Sequence, residues 1–122
     1  MPRPFARLHV CVTCRAGRPL ADGETPPGAL LRTALTRLAR DSECEIRDVA
    51  CLASCTRGCT AAISMPGKWS YLLGNLSVDH APDLLTYAVA YSASPNGTVL
   101  PSRRPASLRD VILARFPAAD AA

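Results

Sequence analysis

The sequence predicts an α/β domain: a four-stranded mixed sheet in the order β-α-β-β-β-α, with flanking helices. Three observations carry that expectation. Leu30, Leu31, Ala34, Leu35 and Leu38 recur at the spacing of one helix face, between two short β-forming runs. Pro66-Gly67 is a turn dipeptide set between two further short apolar runs. A second helical stripe, Leu84, Leu85, Ala88, Val89 and Tyr91 or Ser92, follows the last of them. At 122 residues and 48% hydrophobic content the chain can bury its own core, and with only Phe5, Trp69, Tyr71, Tyr87, Tyr91 and Phe116 as aromatics that core is mainly aliphatic.

In order, residues 6–12 alternate in part and read as the first strand, with Cys11 near its end. Residues 13–28 hold Gly17, Pro19, Gly23, Pro26, Pro27 and Gly28 and must loop. Thr25 is placed to cap a helix over residues 27–40, with proline in its first turn. Ile46 and Val49 mark a second strand at 44–50, and residues 60–65 and 68–73 form a hairpin about Pro66-Gly67. Asp79 suits the N-cap of the second helix. Residues 6–93 are then one domain. Residues 94–106 read as linker and residues 107–116 as a short terminal helix, with Leu108, Val111, Ile112 and Ala114 on its apolar face. A strand-helix-strand unit makes a right-handed parallel crossover. Followed by a hairpin and a closing helix, it has the order of a thioredoxin-like domain.

The chemistry of the chain is concentrated in its cysteines. Cys11 and Cys14 form a C-x2-C pair, and Cys51, Cys55 and Cys59 a C-x3-C-x3-C run, with Cys44 upstream. Two intervening residues let one turn aim both sulfurs of Cys11 and Cys14 at one ion. Redox C-x2-C motifs place the second cysteine in a helix that begins at the motif, whereas here a Gly/Pro-rich loop intervenes, which disfavours thiol oxidoreductase chemistry. If strands 1 and 2 are parallel neighbours, their C-terminal ends share one rim of the sheet. Cys11, Cys14, Cys51 and Cys55 then meet there as four thiolates. Cys59 is a further thiol behind Gly58, and Cys44 a small buried or edge residue. His9 shares a strand face with Cys11 and reads more simply as a hydrogen-bonded strand histidine than as a ligand. His80 reads as solvated. Arg15, Arg57 and Lys68 flank the cysteines in sequence and could stabilise a reduced, more negative centre.

The run Cys51-Leu52-Ala53-Ser54-Cys55-Thr56-Arg57-Gly58-Cys59, with Ala61-Ala62-Ile63, Pro66-Gly67, Trp69 to Tyr71 and Gly74 after it, resembles the cluster loop and hairpin of thioredoxin-like [2Fe-2S] ferredoxins. Residues 7–93 as a whole resemble DUF1636, a bacterial family of predicted metal-binding proteins. The resemblance implies that Cys51, Cys55 and Cys11 hold a [2Fe-2S] cluster. Cys14 is the candidate fourth ligand and Cys59 its substitute. It further implies one-electron transfer with a redox partner protein, and a homodimer. The other reading of the same thiols is a structural or metal-handling zinc site.

Other functions fit less well. Net charge is +4, and the arginines are spread without interleaved aromatics, so the pattern of a nucleic-acid surface is missing. No Ser-His-Asp or Cys-His constellation has supporting context, and Gly17, Gly23 and Gly28 do not follow a phosphate-loop spacing. No segment has the length of a signal peptide core or a membrane span, so the expected location is the cytoplasm. There clustered thiols stay reduced.

Overall fold

A computed structural model describes residues 6–15, 19–39, 44–52 and 58–118. The sheet has five strands: β1 (Ala6–Cys11), β2 (Cys44–Val49), β3 (Ala61–Ser64), β4 (Ser70–Leu73) and β5 (Ile112–Phe116), in the spatial order β2-β1-β3-β4-β5. β1 and β2 are parallel, with Cys11 opposite Val49, and every other pairing is antiparallel. The mixed sheet is therefore as expected, except that it gains a fifth strand at its β4 edge.

That strand replaces the helix expected at 107–116. Only a single 3-10 turn, Ala106–Leu108, forms there before the chain extends along β4. Leu108 and Val111 are buried, as is Val99 before them, so residues 94–116 pack onto the domain. Two backbone bonds tie this segment to β4 and its approach: Trp69 N–H to Asn96 O at 2.9 Å and Gly74 N–H to Val111 O at 2.8 Å.

Helix α1 spans Pro27–Leu38 and α2 spans Ala81–Ala93. They pack against each other and against β1. The inward stripe of α1 is Gly28, Leu31 and Leu35, while Leu30 and Leu38 are exposed. In α2 it is Ala81, Leu84, Tyr87, Ala88 and Tyr91, and Val89 is exposed. Both stripes are narrower than the sequence spacing implied. The core lies between these helices and Leu8, Val10, Ala61, Ile63, Tyr71 and Leu73 of the sheet.

The caps differ from expectation. Pro26, not Thr25, is the N-cap of α1, and no side chain caps it. Before α2, Ser77 caps a 3-10 turn, Val78–His80, in place of an Asp79 cap. His80 closes that turn by accepting the Ser77 N–H on Nδ1 at 2.9 Å, while its own N–H donates to Ser77 O at 3.0 Å.

Three tyrosines fill the space between β4 and α2. Tyr71 meets Tyr87 and Tyr91 edge to face, with ring centroids 6.4 and 6.3 Å apart. Tyr91 donates its hydroxyl to Trp69 O. The Tyr87 hydroxyl is buried without a hydrogen-bond partner among the described residues. Burial, with Tyr71 alongside, pushes the Tyr91 phenol up to about 12 and raises Tyr87 as well. An unfolded tyrosine ionises near pH 10. Both phenols thus favour the fold fully below about pH 10, and that contribution is lost as pH rises from there through the folded-state values. Urea midpoints should therefore fall between pH 8 and pH 11; an unchanged midpoint would show that these hydroxyls reach water in the native state.

Candidate metal centre

The centre is built at the rim where β1 ends. Val12 N–H donates to Val49 O at 3.0 Å, which prolongs the parallel ladder past Cys11 and draws the start of the cysteine run alongside. The rim that the parallel pairing implied is thus present, with Cys11 the last paired residue of β1 and Cys51 two residues past the end of β2.

Cys11 and Cys14 are buried on a tight turn, in which Cys14 N–H faces Cys11 O at 3.4 Å. Helix α1 begins against this turn. Gly28 N–H donates to Cys14 O at 3.0 Å, and a Cβ at Gly28 would stand 2.0 Å from Cys11 O and 3.1 Å from Cys14 Cβ. Only glycine admits this approach. It places the positive end of the α1 dipole beside two cysteines, where negative charge is favoured.

The Cys11 sulfur sits in a polar collar. Its thiol donates to Ala50 O at 3.8 Å, and Thr13 Oγ1 lies 3.8 Å from the sulfur while donating to the same carbonyl. Burial raises this thiol. The Thr13 hydroxyl, the backbone N–H groups of Leu52 and Thr13 and the Cys14 thiol more than offset that, and Cys11 ionises below the ordinary thiol value. Backbone N–H groups on a sulfur are also what tune a thiolate-bound metal centre.

Cys59 joins this pair. It is fully buried, and its thiol lies beside those of Cys14 and Cys11. Two backbone bonds with Leu76, at 3.3 and 3.0 Å, hold it on an extension of β3, and Cys11 N–H donates to the next carbonyl, Thr60 O, at 3.1 Å. The Thr60 hydroxyl lies 3.8 Å from the Cys14 sulfur. Burial first, then the adjacent Cys14 and Cys11, push the Cys59 thiol up to about 11.

The remaining candidates fall as follows. Cys51 is exposed, between the Ala50 and Leu52 backbone groups that contact Cys11. Cys55 and Arg57 lie outside the described residues. Cys44 is half-buried in the edge strand β2, next to Glu45, and its thiol is raised to about 11 by burial and that carboxylate. His9 bonds Ser64 Oγ through Nε2 at 3.0 Å, the strand-histidine role expected of it. Arg15 is exposed next to Cys14. Lys68 does not flank the thiols. It precedes β4 at the opposite rim, where Nζ donates to Ser92 O at 2.6 Å, because the hairpin carries it a full strand length away.

Among the described residues, no three Cys, His, Asp or Glu side chains are positioned to hold a metal ion as they stand. The donor chemistry nevertheless fits a thiolate-bound centre: three buried thiols in one cluster, backbone N–H donors on one sulfur, and a helix N-terminus behind them.

The five-stranded mixed sheet with two helices packed against it is a fold similar to that of thioredoxin-like proteins of known structure. Two solved structures share the fold. One is a thioredoxin-like [2Fe-2S] ferredoxin from Aquifex aeolicus at 12% identity and TM-score 0.61, covering 97% of this chain and 99% of that one. The second, the wild-type thioredoxin-like [2Fe-2S] ferredoxin from the same organism, matches at 12% identity and TM-score 0.60, covering 92% and 99%. The chain belongs to the family described as protein of unknown function DUF1636, whose sequence pattern matches residues 8–118. No protein of curated function matches it. No helix among the described residues is long and apolar enough to cross a membrane.

Proposed function

We propose that this protein is an iron–sulfur electron carrier and not an enzyme, with a [2Fe-2S] cluster held by Cys11, Cys14, Cys51 and Cys55, and Cys59 able to substitute. The observation that carries the reading is the placement of Cys11: buried at the sheet rim, with Thr13 and Leu52 donors on its sulfur and Cys14 behind it. The likeness in fold to two [2Fe-2S] ferredoxins supports it. Bound there, the cluster would supply a site for one electron. The chain's own contribution is to exclude water with Leu31, Leu35 and Leu76 and to offset the added negative charge with N–H donors and the α1 N-terminus. An electron carrier needs a redox partner protein, and the resemblance adds a second copy of the chain; both belong to this proposal.

The test is anaerobic reconstitution with iron and sulfide. About two irons and two sulfides per chain, charge-transfer absorption in the visible range and a reversible one-electron reduction are the expected result. A colourless, iron-free product overturns the reading. The enclosure of Cys14 and Cys59 favours one alternative, a closed structural zinc site. Zinc retained at one per chain through purification, without redox activity, would establish that alternative.

A further inference from the structure

The chain carries more thiols than a four-ligand centre uses, and the spare one sits against a proposed ligand. Cys14 and Cys59 are buried in one cluster, with their thiols in hydrogen-bonding reach of each other. Each stands on backbone that is fixed independently. Cys14 is held by the turn to Cys11 O at 3.4 Å and by the Gly28 N–H on its own carbonyl at 3.0 Å. Cys59 is held by its two bonds with Leu76, at 3.3 and 3.0 Å. The Thr60 hydroxyl lies 3.8 Å from the Cys14 sulfur, which sets the segment at residues 59 and 60 over that thiol. A disulfide forms without backbone movement only where two sulfurs already meet. Cys11 is engaged elsewhere, with Ala50 O and Thr13 Oγ1 each at 3.8 Å from its sulfur. A link from Cys14 to Cys11 would span only Val12 and Thr13. A link from Cys14 to Cys59 ties the turn to the approach of β3 across α1 and β2, and closing the longer loop stabilises more.

We propose that Cys14 and Cys59 form a reversible disulfide when the centre is empty, which gives the chain a two-electron thiol couple besides its metal chemistry. The oxidant is a small neutral peroxide, because the pair is closed to a protein oxidant: Cys14 is 3% exposed and Cys59 0%. Cys14, the less enclosed, loses its thiol proton and its sulfur attacks the peroxide. The O–O bond breaks, leaving a sulfenic acid on Cys14 and one water. The Cys59 sulfur then attacks the Cys14 sulfur. The S–O bond breaks, the S–S bond forms, and the hydroxyl leaves with the Cys59 proton as a second water. Two thiols thus give up two electrons and two protons, and one peroxide becomes two waters. A dithiol reductant reverses the step by exchange. The pairing stands apart from the electron-carrier reading, but its consequence rests on it. The bond takes up Cys14 and its substitute Cys59 together, so loading of the centre must follow their reduction.

The experiment uses the full chain, stripped of metal under reductant and moved to oxygen-free, reductant-free buffer. One equivalent of hydrogen peroxide is added, the remaining thiols are alkylated, and the joined peptides are mapped by mass spectrometry. The chain should lose two of its six thiols, with Cys14 joined to Cys59 as the main link, and dithiothreitol should restore all six. The far-ultraviolet circular dichroism should not change, since the sulfurs meet in the native fold. A main link from Cys14 to Cys11, a main link through Cys51 or Cys55, or no link at all overturns the proposal. Zinc offered alone with a competing chelator then tests the consequence. The reduced chain should hold it at least tenfold more tightly than the oxidised one; equal retention, or none by either form, overturns the gating of metal uptake. A chain that forms the Cys14–Cys59 link but takes up no iron and sulfide after reduction upholds the pairing and sinks the electron-carrier reading. A chain that loads the cluster but forms no such link does the reverse.

Discussion

Replacing Gly28 with alanine should uncouple α1 from the cysteine turn and abolish metal uptake while leaving most of the sheet folded. The new Cβ would stand 2.0 Å from the Cys11 carbonyl oxygen, far inside contact distance, and the obstructing atom is backbone. No rotamer change relieves it, so either the helix start or the residue 11–14 turn must move. Overpacking of this kind costs about 1–3 kcal/mol or more. The helix-propensity gain of alanine over glycine returns at most about 1 kcal/mol. A net loss of ~2 kcal/mol lowers the melting temperature by roughly 8 °C in a domain of this size. Thermal melts and metal content per chain check the two halves of this expectation. An alanine variant with wild-type stability and wild-type metal content would show that α1 does not seat on the turn as described.

Deleting residues 96–122 should leave a chain that does not fold stably. The deletion removes β5 from the edge of β4 and takes Val99, Leu108 and Val111 out of the core. Burial of each such side chain is worth about 1.5–3 kcal/mol, against a total stability of about 5–15 kcal/mol for a domain. Gly97 adds a specific loss. It holds φ at +84° so close to Tyr91, Lys68 and Trp69 that a Cβ would stand 2.8 Å from the Tyr91 ring, so its removal opens the tyrosine cluster to water. The exposed β4 edge would then invite pairing between chains. Near-ultraviolet circular dichroism should lose its tyrosine signal, and size exclusion should show aggregate. A truncated monomer with a wild-type melting temperature would refute this, and would mean that the last strand merely lies along the sheet.

The reason this strand was not visible in the sequence is physical. Leu108, Val111 and Ile112 are spaced i, i+3, i+4, the pattern of one helix face. β5 is an edge strand with half-buried and exposed residues and a register shift opposite Leu72 and Leu73, so it carries no clean alternation. The β3–β4 hairpin was legible because Pro66-Gly67 admits little else: Gly67 holds φ at +76° and Lys68 N–H closes the turn on Met65 O at 3.1 Å. The helices were legible in position but not in width, since Leu30, Leu38 and Val89 are apolar residues on the solvent side.

At the site, the meeting of Cys11 with the start of the cysteine run followed from parallel pairing of strands 1 and 2, and Cys11 does lie opposite Val49. Lys68 was misplaced because distance along the chain was taken for distance in space across a hairpin. Cys59 had a readable signal that spacing between cysteines obscures. Counting back by twos from Ile63 through Ala61 reaches Cys59, so it falls on the inward side of the segment that leads into β3.

The bond from Gly28 N–H to Cys14 O closes a neck beneath residues 15–27. Because that neck, and not the loop's contour, sets the thiol turn, the loop's length is uncoupled from the geometry of the rim. Doubling a loop already closed in this way adds only about 0.6 kcal/mol of ring-closure entropy. The exposed turn at Asp22 and Gly23, where Glu24 N–H bonds Ala21 O at 3.0 Å, is therefore a port: foreign peptide spliced there would hang outside the domain without being felt by the cysteines.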